Sequence, residues 1–170
     1  FGICAPSSNL KIRRAGFDEG LERLRSLGHE IIVHPQTYAE LGNSQLAGTV
    51  DEKMTALYEL SADPRVDMIM AARGGCGQAH LLGHIDFSKT TKPLIGYSDN
   101  TVLLNAIHTK NKTVQFHGPD VRWHRQENFN LGLYEQFLSL IMGGVQTIPL
   151  SNARIQNQGQ TSGRLIGGNM

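Results

Sequence analysis

Ser98 lies between the apolar pair Leu94-Ile95 and a helical pattern running through Val102-Leu-Leu-Asn-Ala-Ile-His108. A hydroxyl on a strand-to-helix turn is exposed, and the backbone N–H groups after it point outward, which is the geometry of a nucleophile elbow. The elbow pattern is Gly-x-Ser-x-Gly; Gly96 and Ser98 fit it, and Asn100 takes the final position. Asn tolerates unusual backbone better than most residues, so the match is partial. The competing role is a helix N-cap, in which Ser98 accepts a bond from an N–H two or three residues on. Taken locally, the sequence favours the cap.

A serine hydroxyl attacks a carbonyl only when a base takes its proton and aimed donors hold the oxyanion. The N–H of Asp99 opens a helix and is one such donor. A second comes from Gly74 or Gly75 in Arg73-Gly-Gly-Cys-Gly77, where the missing Cβ lets backbone approach a substrate. That loop could instead be a plain turn or a phosphate cradle, although it lacks the Lys-Ser/Thr of a P-loop. Arg73 could clamp a substrate carboxylate through two parallel bonds, or pair with Asp99 or Asp67. Cys76, near a helix start, reads as a small packed residue rather than a nucleophile.

A base is harder to find among the seven histidines. His108 lies nearly three turns along the helix from Ser98, and His80 and His84 follow the glycine loop as surface candidates. His117 stands at a strand end near the site, where a substrate contact or a structural role is expected of it. The residues therefore offer a nucleophile without a base.

The elements that must position these groups alternate. Phe1 to Ala5 reads as a strand, followed by the turn Pro6-Ser-Ser-Asn9 and a helix to about Leu27 that carries Phe17, Leu21 and Leu24. Glu30–Val33 is a second strand, and residues 36–48 a polar loop. Thr49 and Glu52 form a capping box that opens a helix with Val50, Met54 and Leu57 inward, ending before Asp63-Pro64. Asp67–Ala71, Leu94-Ile95 and Thr113–Phe116 are further strands, and Ser98 to Lys110 is a helix. Phe129, Leu133, Phe137 and Leu140 mark a last helix, followed by a strand over Val145–Leu150. Such alternation predicts an α/β fold, a parallel sheet with helices on both faces. Ligands of these sheets bind beyond the carboxyl ends of the strands. Ser7-Ser8, the Arg73 loop, Ser98-Asp99 and His117-Gly-Pro119 all follow strand ends, and this convergence raises Ser98 above a chance cap.

The 170 residues are 39% hydrophobic and 18% charged, with a net charge of +1. These values suit a globular domain and argue against nucleic acid or a membrane as partner. Two cysteines make neither a disulfide framework nor a metal site. The start at Phe1 and the end within Ser162-Gly-Arg-Leu-Ile-Gly-Gly-Asn-Met170 suggest a fragment. The expected division is a nucleophile domain over 1–150, a linker over 151–161 and the first strand of a second domain over 162–170.

At these residues the sequence resembles the LD-carboxypeptidases, or muramoyltetrapeptide carboxypeptidases, a family of serine peptidases that includes the microcin C self-immunity peptidases. The resemblance rests on Ala5-Pro-Ser-Ser8, Leu46-Ala-Gly-Thr49, Arg73-Gly-Gly-Cys-Gly77 with Leu81-Leu82 and Ile85-Asp86, Gly96-Tyr-Ser-Asp99, His117-Gly-Pro119 and Gly163-Arg-Leu-Ile-Gly-Gly-Asn169, in family order. It implies a flavodoxin-like domain with Ser98 as nucleophile, and Asp99 with a glycine of the Arg73 loop, Gly75, as oxyanion donors. Arg73, Gly74 and His117 are then substrate contacts. The implied reaction removes a terminal D-alanine from murein tetrapeptide in the cytoplasm, without metal or organic cofactor, and the full-length protein is expected to be a homodimer. The family usually has Tyr where Cys76 stands, and its catalytic Glu and His lie in a C-terminal domain, so this chain alone is expected to be inactive. The Arg-Gly-Gly form resembles the murein enzymes more than the microcin branch. A domain that only captures an anion at its glycine loop is the non-enzymatic alternative.

Overall fold

The computed structural model describes residues 1–144, 159–163 and 168. The strand expected over 145–150, most of the expected linker and nearly all of the expected second-domain strand lie outside them. Five short strands form one parallel sheet: β1 (Gly2–Cys4), β2 (Ile32–Val33), β3 (Ile69–Ala71), β4 (Leu94–Gly96) and β5 (Phe116–His117), in the order β2-β1-β3-β4-β5. Helices α1 (Arg14–Ser26), α2 (Val50–Ala62) and α3 (Thr101–Asn111) connect them. This α/β architecture has the 2-1-3-4-5 strand order of flavodoxin-type sheets, whose switch point lies between β1 and β3.

Register aligns Gly2 with Ile69, Ile3 with Met70 and Cys4 with Ala71, then Ile69 with Leu94 and Met70 with Ile95. Aligned residues of parallel strands share a face. Cys4, Ile69 and Leu94 therefore meet Ala56, Leu57 and Leu60 of α2 and Leu103, Leu104 and Ile107 of α3 in one core. Ile3, Met70 and Ile95 point to the other face and are equally buried. Burial on both faces is why these strands read as continuous apolar runs.

Several boundaries depart from the pattern. The first helix begins at Arg14, after a turn over residues 11–13, with Arg13 at its N-cap and no side-chain cap bond. The Asn9 Nδ2 donates to the carbonyls of Ser44 and Leu46 at 3.0 and 3.3 Å, tying the β1 turn to the following loop. That loop contains a 3-10 turn over Pro35–Tyr38 and a bridge between Ser8 and Leu46. The Thr49–Glu52 capping box is present: Glu52 N–H donates to Thr49 Oγ1 at 3.2 Å, and Thr49 N–H to Glu52 Oε2. The buried face of α2 is centred on Lys53, Ala56, Leu57 and Leu60, with Val50 and Met54 only packed at its edge. The last strand pairs over Phe116–His117, three residues later than expected at its start.

The described residues 129–144 belong to a separate compact unit containing α4 (Leu131–Ile141). Within it Tyr134 is buried and its ring lies 5.7 Å from Phe129 and 6.1 Å from Phe137. Leu133 and Leu140, expected to face inward, are exposed. Among the described residues, no helix is long and apolar enough to cross a membrane.

Candidate active site

Ser98 follows β4 with φ at +63°, one of two described non-glycine residues with a left-handed backbone. Residues other than Gly, Asn and Asp seldom adopt that conformation, and it marks a sharp, tertiary-enforced turn. The N-cap role is not realised. The 3-10 turn over Ser98–Asn100 is preceded by Tyr97 at its cap, α3 is capped at Asn100, and neither end has a side-chain cap bond. The Ser98 hydroxyl bonds no described residue and is partly exposed.

Asn100 explains how the turn holds without a glycine in its last position. Its side chain is fully buried, donates to the Tyr97 carbonyl at 3.0 Å and pairs with the buried Gln78 amide. It lies against Gly96, in the space a side chain there would need.

The loop after β3 closes against this turn. A Cβ on Gly74 would stand 2.9 Å from the Ser98 Cβ and 3.3 Å from its Oγ. Gly75 has φ at +138° and lies against the Ser8 side chain, so glycine is required twice over. The Gly74 N–H donates to Asp120 Oδ2 at 3.3 Å. That commitment leaves Gly75 rather than Gly74 as the loop's candidate oxyanion donor. The N–H groups of Gly75 and Asp99 donate to no described residue.

The Asp99 carboxylate is the pin of the cluster. Its Oδ2 accepts from Ser7 Oγ at 2.5 Å and from the Gln78 N–H at 3.1 Å. Ser7 also donates to the Cys76 carbonyl at 3.2 Å, and Ser8 Oγ accepts from the Cys76 N–H at 3.0 Å. The turns after β1, β3 and β4 are thus bonded into one unit beside the switch point. Beside it lies Lys53, 2% exposed, whose pKa burial lowers and the negative charge of Asp99 partly restores.

Arg73 pairs with neither Asp99 nor Asp67. Its Nη1 donates to the Asn9 carbonyl at 2.9 Å, because the loop turns it toward the β1 turn. Cys76 is exposed rather than packed, since the glycine loop carries it outward. His117 is exposed at the end of β5, and no described residue hydrogen-bonds its ring. The residues 118–120 that follow bring in Asp120, a group sequence reasoning missed. It is 1% exposed, and burial pushes its carboxyl up to about 6, against the opposing pull of Arg122 and the Trp123 and Gly74 N–H groups. The signal available was its position directly after a strand-end turn.

This arrangement holds a strained serine, two unclaimed N–H donors and a neighbouring arginine, which suits attack on a carbonyl. The family model described as the LD-carboxypeptidase N-terminal domain matches residues 1–118. A Treponema pallidum relative is 37% identical over 123 residues, covering 69% of this chain and 35% of that protein. The murein tetrapeptide carboxypeptidase of Pseudomonas aeruginosa is 28% identical over 154 residues, covering 84% of this chain and 50% of that protein. The solved structure of the microcin C7 self-immunity protein MccF with aspartyl sulfamoyl adenosine superposes with a TM-score of 0.75 at 25% identity, over 86% of this chain and 44% of that one. The chain spans a third to a half of these proteins.

Proposed function

The chain belongs to the LD-carboxypeptidase family, and on that premise we propose that it carries the nucleophile of a serine peptidase releasing a terminal D-amino acid from murein tetrapeptide. The observation that supports this reading is the left-handed Ser98 on a turn against which the Gly74-Gly75 loop packs. Ser98 Oγ attacks the scissile carbonyl, and its proton passes to a base. The oxygen of the tetrahedral intermediate accepts from the two N–H groups, and collapse expels the amine of the terminal residue. Water then hydrolyses the acyl-serine ester, returning the enzyme and the shortened peptide.

No described histidine bonds Ser98, so the base and the carboxylate that orients it belong, on this reading, to a second domain. Residues 1–150 would form the nucleophile domain, 151–161 a linker and 162–170 the beginning of that second domain. The length of the relatives favours this division. The substrate would be met in the cytoplasm during cell-wall recycling, by a homodimer of the full-length protein.

A second reading draws on the MccF structure, which holds an aspartyl sulfamoyl adenosine. The enzyme would then cleave an aminoacyl or peptidyl nucleotide with the same serine. Parallel incubation of the full-length gene product with murein tetrapeptide and with aspartyl sulfamoyl adenosine separates the two. Release of D-alanine supports the first, release of aspartate alone the second, and neither product removes both.

A further inference from the structure

We propose that Arg122, together with Arg73, forms an anion subsite beside the Ser98 turn that takes a carboxylate or phosphate group of the substrate. Sequence reasoning singled out Arg73 alone; Arg122 enters only through the fold. Asp120 brings the two together. Its Oδ2 accepts from the N–H of Gly74, next to Arg73, and its Oδ1 from the N–H of Trp123 at 3.1 Å, in the 3-10 turn that carries Arg122. The Gly118 N–H donates to the Gly96 carbonyl at 3.0 Å, which fixes the same turn against the end of β4.

Charge at this place is unbalanced. The guanidinium of Arg122 acts on Arg73, and both act on Tyr97, the residue before Ser98. Nearby Arg125 is paired with Glu127 at 2.9 Å, whereas neither Arg73 nor Arg122 makes an ion pair among the described residues. Asp120 is the one acid placed between them, and its two oxygens are taken by backbone N–H groups. Burial raises its carboxyl to about 6, so at neutral pH it sets one negative charge against two guanidinium charges. The Nε atoms of Arg73 and Arg122, like that of Arg125, are buried with no hydrogen-bond partner, while Arg73 Nη1 donates to the Asn9 carbonyl and leaves the rest of its fork available. Buried guanidinium donors without acceptors are costly, and an oxyanion accepting from both forks removes that cost. A lysine would not serve as well, because a planar fork matches a carboxylate or phosphate through two parallel bonds.

Calling the anion part of the substrate rests on the reading of Ser98 as the reacting group; the subsite itself does not. The test uses the full-length gene product as wild type, Arg122→Ala and Arg122→Lys. Inorganic phosphate binding is measured by calorimetry, and D-alanine release from tetrapeptide by steady-state kinetics. The tetrapeptide is supplied as free acid and as C-terminal amide, and adenosine monophosphate and adenosine serve as inhibitors. The expected result is phosphate binding weakened about 10- to 100-fold in Arg122→Ala and partly restored in Arg122→Lys. If the natural group is a carboxylate, KM for the free acid rises by a similar factor with kcat nearly unchanged, and the amide shows no such rise. If it is a phosphate, adenosine monophosphate inhibits, adenosine does not, and Arg122→Ala abolishes the difference. Phosphate binding that depends on Arg122 in a protein that hydrolyses no peptide keeps the subsite and removes the peptidase reading. Phosphate binding and KM both unaffected by Arg122→Ala, or a loss of thermal stability alone, overturns the subsite.

Discussion

The Asp120 carboxylate accepts a hydrogen bond from the Gly74 N–H at 3.3 Å, so the turn after β5 holds the loop that packs on Ser98. Burial raises this carboxyl to about 6 from an ordinary 3.8. Between those values the folded chain keeps a proton that the unfolded chain has lost. Asp120 therefore makes stability fall as pH rises from about 4 to 6. His124, fully buried in the same 3-10 turn, is pushed by burial down to about 4 from 6.5. There the unfolded chain binds the extra proton, and stability rises with pH over the same window. The two slopes oppose. Melting temperatures across pH 4–7 should climb more steeply with pH in Asp120→Asn than in wild type, and less steeply in His124→Gln. Parallel slopes in the two variants would contradict the assignment.

Asp99 Oδ2 joins the Ser7 hydroxyl and the Gln78 N–H, so its removal loosens three turns at once. Asp99→Ala should lower kcat more than it raises KM, because it displaces the serine and its neighbouring N–H rather than a binding contact. Ser7→Ala removes one charge-assisted bond and should cost about 1–3 kcal/mol in denaturant unfolding. An unchanged midpoint in Ser7→Ala would show that this bond contributes nothing to holding the turn.

Gly75 combines a φ of +138° with a neighbour, Ser8, in the space of a Cβ. Gly75→Ala should move the loop and its N–H, lowering kcat by about 10²–10³, the scale of one lost oxyanion donor. Gly83, which has open space around it and an ordinary backbone, is the control, and Gly83→Ala should leave kcat unchanged. Equal effects of the two substitutions would remove Gly75 from the site.

The α2 capping box is remote from chemistry and tests stability alone. Thr49→Ala should cost about 1 kcal/mol, measured by urea unfolding, with no change in kinetics.

Much of this fold was legible because local signals agreed with it. The Thr49–Glu52 box, the apolar runs of β1, β3 and β4, and the strand-end positions of Ser7, Arg73 and Ser98 all read directly from the chain. What could not be read was set by contacts distant in sequence. Asn9 read only as part of a turn, yet its amide also bonds a loop 35 and 37 residues away. Arg73 was weighed against nearby acids but meets the Asn9 carbonyl. Lys53 broke the expected apolar face of α2: it is buried, with its Nζ 3.7 Å from where a Cβ on Gly77 would stand. Asp120 carried no motif at all, and only the pairing of β4 with β5 places it against Gly74. The spacing of the histidines offered no convincing base for Ser98, and among the described residues no histidine bonds its hydroxyl.

The role of Ser98 is the claim on which the rest depends, and D-alanine release from murein tetrapeptide by the full-length protein and its Ser98→Ala variant tests it most directly. Loss of about 10⁴-fold or more in kcat, with the fold and phosphate binding retained, is the result expected of a missing nucleophile. Turnover by Ser98→Ala within tenfold of wild type would mean that another group attacks the carbonyl, and the site would have to be reassigned.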